Sequence, residues 1–441
     1  MIGKLTKYLN NNSGFTRYLK NTSWLMTEKV VRMVIALSIG VWVTRYLGPD
    51  QFGVLSYAQS FVGIFAAFSS LGLNDIIIRE LVKSKDQENV LMGSAFGLQT
   101  LGSTSIMLIL SISILLNDND QLTNKIIVIL GLLTFVNSFN VITSYFHSVV
   151  KSKFYAITGL IGVMVSSIIK VYLILGEYSL IYFVYVLAFD VVFLALGLMW
   201  FYRRMGHSLF SWRFSWSVSR DLLKDAWPLV LSGIIISIYM KIDQVMIKEF
   251  MGNSDVGQYS AAVRLSEAWY FIPTIICSSL FPAIINAKMR NHDLYMSRLQ
   301  RLYNLMVLLG VVIILPVVFL SDWLIHFLYG AEFHLSAGVL NIHILGSVFV
   351  FLGVANQKWF ISENFQAYNI VCLGFGMMSN IILNIFLIPK YGIIGAAYAT
   401  LISQFVASVL APVLFKKTRN SFLMMVHAIF FVQVFKKGKL L

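Results

Sequence analysis

Nine ionisable residues sit inside apolar runs of this 441-residue chain: Glu28, Lys29, Arg32, Lys170, Asp190, Lys241, Asp243, Arg264 and Glu267. A charge at the centre of a membrane-spanning helix costs about 2.5–3.5 kcal/mol on insertion scales, so such residues usually face a protein interior or a watery cavity. The five cations, Lys29, Arg32, Lys170, Lys241 and Arg264, are candidates for contact with an anionic substrate. Lys29 and Arg32 fall in the cytoplasmic half of the expected topology and Lys241 and Arg264 nearer the outer half, a ladder suited to a large anionic headgroup. The four acids suit a second chemistry. A carboxylate that exchanges H+ or Na+ inside the membrane ties transport to an ion gradient, at about 2.3 kcal/mol per charge per 100 mV. Asp243 and Glu267 lead that set, with Asp190 and Glu28 behind them.

Plain pairing competes with both roles. Glu28 and Arg32 are four apart and Arg264 and Glu267 three apart, so each pair shares a helical face. Lys170 and Asp190 fall at similar depth on neighbouring helices, and Lys29 can snorkel to the headgroups. Lys241 and Asp243 are two apart and do not face one another along a helix. No catalytic, metal or nucleotide chemistry competes. Cys277 and Cys372 lie in apolar segments without ligand spacing, and Gly48-x4-Gly53 lacks the Lys-Ser/Thr of a phosphate loop. His326, Glu332 and His334 occur in the short stretch Ser321 to Ala337, too small for a catalytic domain. The expectation is therefore no enzyme, no metal and no bound cofactor.

The elements that position these groups follow from composition. Hydrophobic residues make up 58% and charged residues 12%, against about 25% charged in soluble proteins, which points to an all-α, multi-pass membrane protein. Spanning-length apolar runs lie near 24–47, 54–76, 90–116, 125–149, 156–176 and 180–202. Six more lie near 226–249, 258–286, 302–320, 338–361, 369–388 and 393–415, giving twelve expected helices in two six-helix bundles. With the N-terminus inside, 25 Lys and Arg fall on the cytoplasmic side and four opposite. That asymmetry accounts for the net charge of +14 without nucleic acid and places both termini in the cytoplasm. Residues 1–23 read as a basic arm without a signal-peptide core. Residues 203–225 read as an interlobe linker helix on the membrane surface, and 416–441 as a basic tail whose apolar part, 422–435, is too short to span and reads as interfacial.

The halves repeat. Leu47-Gly-Pro-Asp-Gln-Phe-Gly53 and Met251-Gly-Asn-Ser-Asp-Val-Gly257 stand 204 residues apart, with Gly48 matching Gly252, Gly53 matching Gly257 and Ser56 matching Ser260. Six helices per half make the repeat parallel, with a site expected between the halves near mid-depth. Trp269-Tyr270-Phe271 reads as belt or packing, or as a sugar-stacking surface, and Pro273 as a kink in the eighth helix.

Several blocks carry a family resemblance: Asn21-Thr-Ser-Trp-Leu25 with Glu28, Lys29 and Arg32; Arg45-Tyr-Leu-Gly-Pro49 with Gln51-Phe-Gly53; and Ser70-Leu-Gly-Leu-Asn-Asp75 with Arg79-Glu-Leu81. Ile242-Asp-Gln-Val-Met-Ile247, Val256-Gly-Gln-Tyr-Ser-Ala-Ala262 with Arg264, and Glu267 with Trp269-Tyr-Phe-Ile-Pro273 belong with them. From about residue 21 to 415 the chain resembles the polysaccharide flippases, in particular the O-antigen flippases of Gram-negative bacteria, whose superfamily also holds the MATE multidrug exporters. The resemblance implies a MATE-like fold and a multi-pass protein of the bacterial inner membrane. It implies export of undecaprenyl-diphosphate-linked oligosaccharide to the outer leaflet by alternating access, driven by an ion gradient, with other polysaccharide-assembly proteins as partners. Glu28, Lys29, Arg32, Asp243, Arg264 and Glu267 fall inside the family blocks; Lys170 and Asp190 fall outside them. Two rivals remain. A MATE-type drug antiporter would want an acidic cavity, whereas basic residues here outnumber acids five to four, and a membrane polysaccharide polymerase or ligase would want a long outward loop.

Overall fold

The computed structural model describes residues 13–117 and 119–430, and every regular element in them is helical. In chain order the α-helices are α1 (Ser13–Ile64), α2 (Ala66–Ser70), α3 (Leu73–Lys83), α4 (Glu88–Leu116), α5 (Gln121–Asn137), α6 (Val141–Ser148), α7 (Lys153–Leu175) and α8 (Leu180–Arg204). They continue as α9 (Trp216–Phe250), α10 (Asn253–Glu267), α11 (Phe271–Arg290), α12 (His292–Tyr329), α13 (Ser336–His343), α14 (Ser347–Ser362), α15 (Gln366–Phe405) and α16 (Arg419–Ile429). Local chemistry sets several ends. Asp120 caps α5 by accepting from Thr123 N–H, Asn291 caps α12 by accepting from Asp293 and Leu294 N–H, and Gly330 at φ +90° ends α12.

Ten helical stretches among the described residues are long and apolar enough to cross a membrane. Two are far longer than one crossing needs: Val31–Lys83 with 53 residues and Gln366–Leu414 with 49, where about 20 suffice. Each is broken by a glycine in the left-handed region, Gly48 at φ +66° and Gly392 at φ +62°. The runs 24–47 and 54–76 both overlap the first and 369–388 and 393–415 both overlap the second, so ten stretches stand where twelve runs are expected. Pro273 breaks its helix outright. The chain leaves α10 at Glu267 and re-enters helix at Phe271, placing the proline in the first turn of α11, where its missing N–H costs least.

The chain divides into two compact units. Unit 1 takes the chain up to Leu47 together with Phe61–Ile234, and unit 2 takes Gly48–Ser60 and the chain from Ile235 onward. In unit 1, Leu73, Ile77, Met92, Phe146, Leu198 and Tyr202 pack into one apolar core. In unit 2 the core includes Cys277, Tyr303, Met306, Phe351, Cys372 and Met425. Both cysteines are buried there as free thiols, which is packing and not chemistry.

Three termini or links differ in detail from the hydropathy reading. Helix α1 begins at Ser13, so the later part of the arm 1–23 is helical, while residues 1–12 lie outside the described residues. The stretch 203–225 is not one surface helix: Gly206 at φ +87° follows the end of α8, a 3-10 turn covers Leu209–Ser211, and α9 starts at Trp216, all within unit 1. The tail helix α16 docks into the unit 2 core. Met425 and Ala428 are fully buried, Gln300 Nε2 donates to the Met424 carbonyl at 2.9 Å, and Ser421 Oγ donates to Asn356 Oδ1 at 2.6 Å. Its opposite face, with Leu423 half exposed, stays open, and 431–441 lie outside the described residues.

The repeated turns meet inside unit 2. A Cβ added to Gly53 would lie 1.7 Å from the Asn253 carbonyl oxygen, and one added to Gly257 would lie 1.8 Å from the Pro49 carbonyl oxygen. Pro49 and Asn253 are themselves 204 residues apart. The contact is reciprocal, each turn giving a carbonyl and receiving one, as a two-fold relation between them requires.

Candidate functional site

In unit 1 the expected ion pairs form. Glu28 Oε1 accepts from Arg32 Nε at 2.5 Å along α1, with Glu28 buried and the Arg32 side chain 34% exposed. Arg32 Nη2 is buried and has no hydrogen-bond partner. It lies against α7 where Gly159 has no side chain: a Cβ there would fall 2.0 Å from Nη2 and 3.3 Å from Glu28 Oε1. Lys29 lies on the same helix, with its side chain outside the described residues. Lys170 on α7 pairs with Asp190 on α8 at 3.4 Å, leaving Asp190 Oδ1 buried and unpartnered.

Unit 2 holds a different arrangement. Asp243 on α9 is buried, and all three of its hydrogen bonds come from neutral donors. Its Oδ2 accepts from Tyr259 OH at 2.6 Å and from Thr400 Oγ1 at 2.5 Å, while Oδ1 accepts from Asn384 Nδ2 at 2.6 Å. Asn384 Nδ2 also donates to Asn380 Oδ1 at 3.0 Å, and Asn384 Oδ1 is buried without a partner. A buried carboxylate whose hydrogen bonds all come from neutral donors is costly as an anion unless a nearby cation or a proton offsets it. Carboxylate, amide and hydroxyl oxygens form a hard donor set, suited to H+ or Na+ and unsuited to metals that prefer thiolate or imidazole.

Lys241, two residues before Asp243 on α9, is half-buried and makes no ion pair among the described residues. Glu267, at the end of α10, is half-buried and within electrostatic reach of Lys241 and Asp243. Arg264 on α10 holds its guanidinium carbon 5.2 Å from the Phe52 ring centroid, a cation–π contact inside unit 2. Of His326, Glu332 and His334, Glu332 is tied into the fold: its carbonyl accepts from Gln258 Nε2 at 2.7 Å, and its carboxylate sits beside Gly48. Charge counting in apolar runs missed Tyr259, Asn380, Asn384 and Thr400. The available signal was the i, i+4 asparagine pair, two amides on one face of a spanning helix.

Taken together, these features define a polytopic, all-helical membrane protein with ionisable groups set inside its spans. Its fold matches solved transporters. The inward-facing multidrug MATE transporter of the MOP superfamily superposes with a TM-score of 0.71 at 14% identity, covering 93% of this chain and 96% of that one. The lipid II flippase MurJ in an inward closed conformation gives 0.67 at 15% identity, over 96% and 93%. The chain belongs to the polysaccharide biosynthesis protein family, whose match runs over residues 18–288. A "Putative O-antigen transporter" from Shigella flexneri is 24% identical over 404 residues, 86% of this chain and 93% of its own length. The "Probable flippase AglR" of Haloferax volcanii is 29% identical over 215 residues, where the match covers 46% of this chain and 41% of AglR. The chain thus spans under half the length of that archaeal relative and nearly all of the Shigella one.

Proposed function

We propose that this protein is a flippase for a lipid-linked oligosaccharide. In this reading it moves an undecaprenyl-diphosphate-linked O-antigen unit from the cytoplasmic to the periplasmic leaflet of the inner membrane by alternating access. Both termini face the cytoplasm, the two long helical stretches each cross twice, and no covalent chemistry is performed. The observation that carries the reading is the chain-long similarity to the Shigella flexneri protein. The cations set within the spans agree with it, because a diphosphate crossing hydrocarbon needs fixed positive charge along its way. Lys241 and Arg264 are the substrate contacts, joined by Arg32, whose side chain keeps a third of its surface exposed. Lys170 is committed to Asp190. Asp243, with Asn380, Asn384 and Thr400, is the coupling site for H+ or Na+.

Complementation of a strain lacking its own O-antigen flippase tests this. Lys241→Ala and Arg264→Ala, inserted at wild-type levels, lower surface polysaccharide. Full complementation by the Arg32/Lys241/Arg264 triple alanine variant would remove the cationic path. A drug-antiport reading shares the fold, and growth of the same strains on cationic drugs separates it: a flippase confers no resistance.

A further inference from the structure

The strap between α8 and α9 is fixed through its backbone, packs Trp212 inward and leaves Phe210 and Phe214 exposed. Arg213 N–H donates to the Asn89 carbonyl at 3.1 Å, Ser215 N–H donates to Ser94 Oγ at 3.1 Å, and Ser94 Oγ returns a bond to the Ser215 carbonyl at 3.3 Å. Two glycines of α4 form the seat. A Cβ at Gly93 would fall 2.6 Å from Arg213 N, and one at Gly97 would fall 2.6 Å from the Phe214 ring. The strap is tied at both ends as well, by His207 Nδ1 to Glu88 Oε1 at 2.9 Å and by Trp212 Nε1 donating to Tyr202 OH at 3.2 Å.

On this fixed backbone the outward groups are aromatic and basic. Phe210 is 91% exposed, Trp216 68% and Phe214 50%. Arg203, Arg204, Arg213, Arg220 and Lys224 are exposed along the same stretch, and Arg204 lies over the half-exposed Trp200 ring at 4.5 Å. The exposed acids here are Asp221 and Asp225, and Asp225 is already paired with Arg79. Uncovered rings on a rigid support call for an apolar partner, and unneutralised arginines beside them call for anions. Acidic phospholipid offers both in one molecule: acyl chains for the rings, and a phosphate that a guanidinium grips with two parallel hydrogen bonds.

We propose that residues 203–216, from the last two residues of α8 through the strap to the first residue of α9, form a docking surface for acidic phospholipid headgroups of the leaflet it meets. The rings enter the acyl boundary, and Arg203, Arg204 and Arg213 hold the phosphates. This surface is distinct from the transport path, because its groups are outward and none belongs to the buried charged set.

The test uses the full-length protein purified in uncharged detergent. It is titrated with phosphatidylglycerol and with phosphatidylcholine carrying the same brominated chains. Quenching of Trp216 is read as the difference between wild type and Trp216→Phe. Phosphatidylglycerol should quench Trp216 at the lower concentration. Each of Arg203→Gln and Arg213→Gln should raise that concentration about fivefold, since a basic residue at an anionic surface is worth about 1 kcal/mol, and salt should shrink the preference. These arginines are exposed, so thermal unfolding of the variants should match wild type. Equal quenching by the two lipids, or a phosphatidylglycerol preference that survives the Arg203/Arg204/Arg213 triple glutamine variant, overturns the proposal.

Discussion

An arginine inside an apolar helix is only as useful as the room left for its guanidinium, and at Arg32 that room is the missing side chain of Gly159. The atom facing a Cβ at Gly159 is Arg32 Nη2, the far end of a flexible side chain and not backbone. Gly159→Ala therefore moves the guanidinium and spares the fold, at a rotamer cost of about 0.5–1.5 kcal/mol. If Arg32 contacts substrate, the alanine lowers surface polysaccharide in complementation while protein level and melting temperature hold. A lysine at position 32 has no Nη2 to displace. Gly159→Ala should then add nothing to Arg32→Lys, and a further loss in the double variant would show that Gly159 acts some other way. Asp243 presents the opposite case. There the neighbours are fixed by burial, and Asp243→Ala removes three hydrogen bonds at once, leaving Asn384 Nδ2 its bond to Asn380, Thr400 Oγ1 its bond to the Ala396 carbonyl and Tyr259 OH its contact with Thr400, so the isosteric asparagine is the informative change.

Between elements, the reciprocal contact of the two Gly turns makes a symmetric demand. Gly53 and Gly257 each face a backbone carbonyl at under 2 Å from any added Cβ, and no rotamer change relieves that. Gly53→Ala and Gly257→Ala should each destabilise by about 1–3 kcal/mol, the range for overpacking. Because both act on one contact, the double variant should cost less than the two single costs together. Thermal unfolding in detergent reads this, and a large effect at one glycine with none at the other would break the symmetry. The turns were legible beforehand because a backbone that needs positive φ restricts the residue at Gly48 and Gly252, leaving a mark at a fixed offset. The Glu28–Arg32 and Lys170–Asp190 pairs were legible for a similar reason, since helical spacing and depth are countable. The Asp243 cluster was not. Its partners come from α10 and from the far side of unit 2's sequence in α15, and an asparagine or threonine among apolar residues carries too little charge to stand out. The strap was misread as helix because Arg, Trp and Phe suit a surface helix equally well, while the bonds from α4 that hold it extended have no local signature.

For the whole molecule, two quantities follow from the proposed function. The first is topological. If Val31–Lys83 and Gln366–Leu414 each cross twice, their glycine breaks face the periplasm. Asp50→Cys and Lys390→Cys, both at exposed positions, should then react with an impermeant maleimide added to intact spheroplasts. Labelling of Lys390→Cys only after lysis would give that stretch a single crossing. The second is energetic. Flipping a diphosphate-linked glycan uphill needs a source of work, and one charge moved through 100 mV supplies about 2.3 kcal/mol, which caps accumulation at about fiftyfold. In proteoliposomes holding a fluorescent polyprenyl-diphosphate glycan, an imposed Na+ or proton gradient should accelerate flipping by the wild type. Asp243→Asn keeps the volume and an amide acceptor but removes the charge that would hold the ion, so its flipping should no longer respond to either gradient. A response that persists in Asp243→Asn would move coupling to Glu267, the half-buried acid of unit 2 within reach of Lys241. A wild type indifferent to both gradients would mean that the bound lipid's own concentration difference drives the cycle, with the oxygens around Asp243 serving only to hold α9, α10 and α15 together.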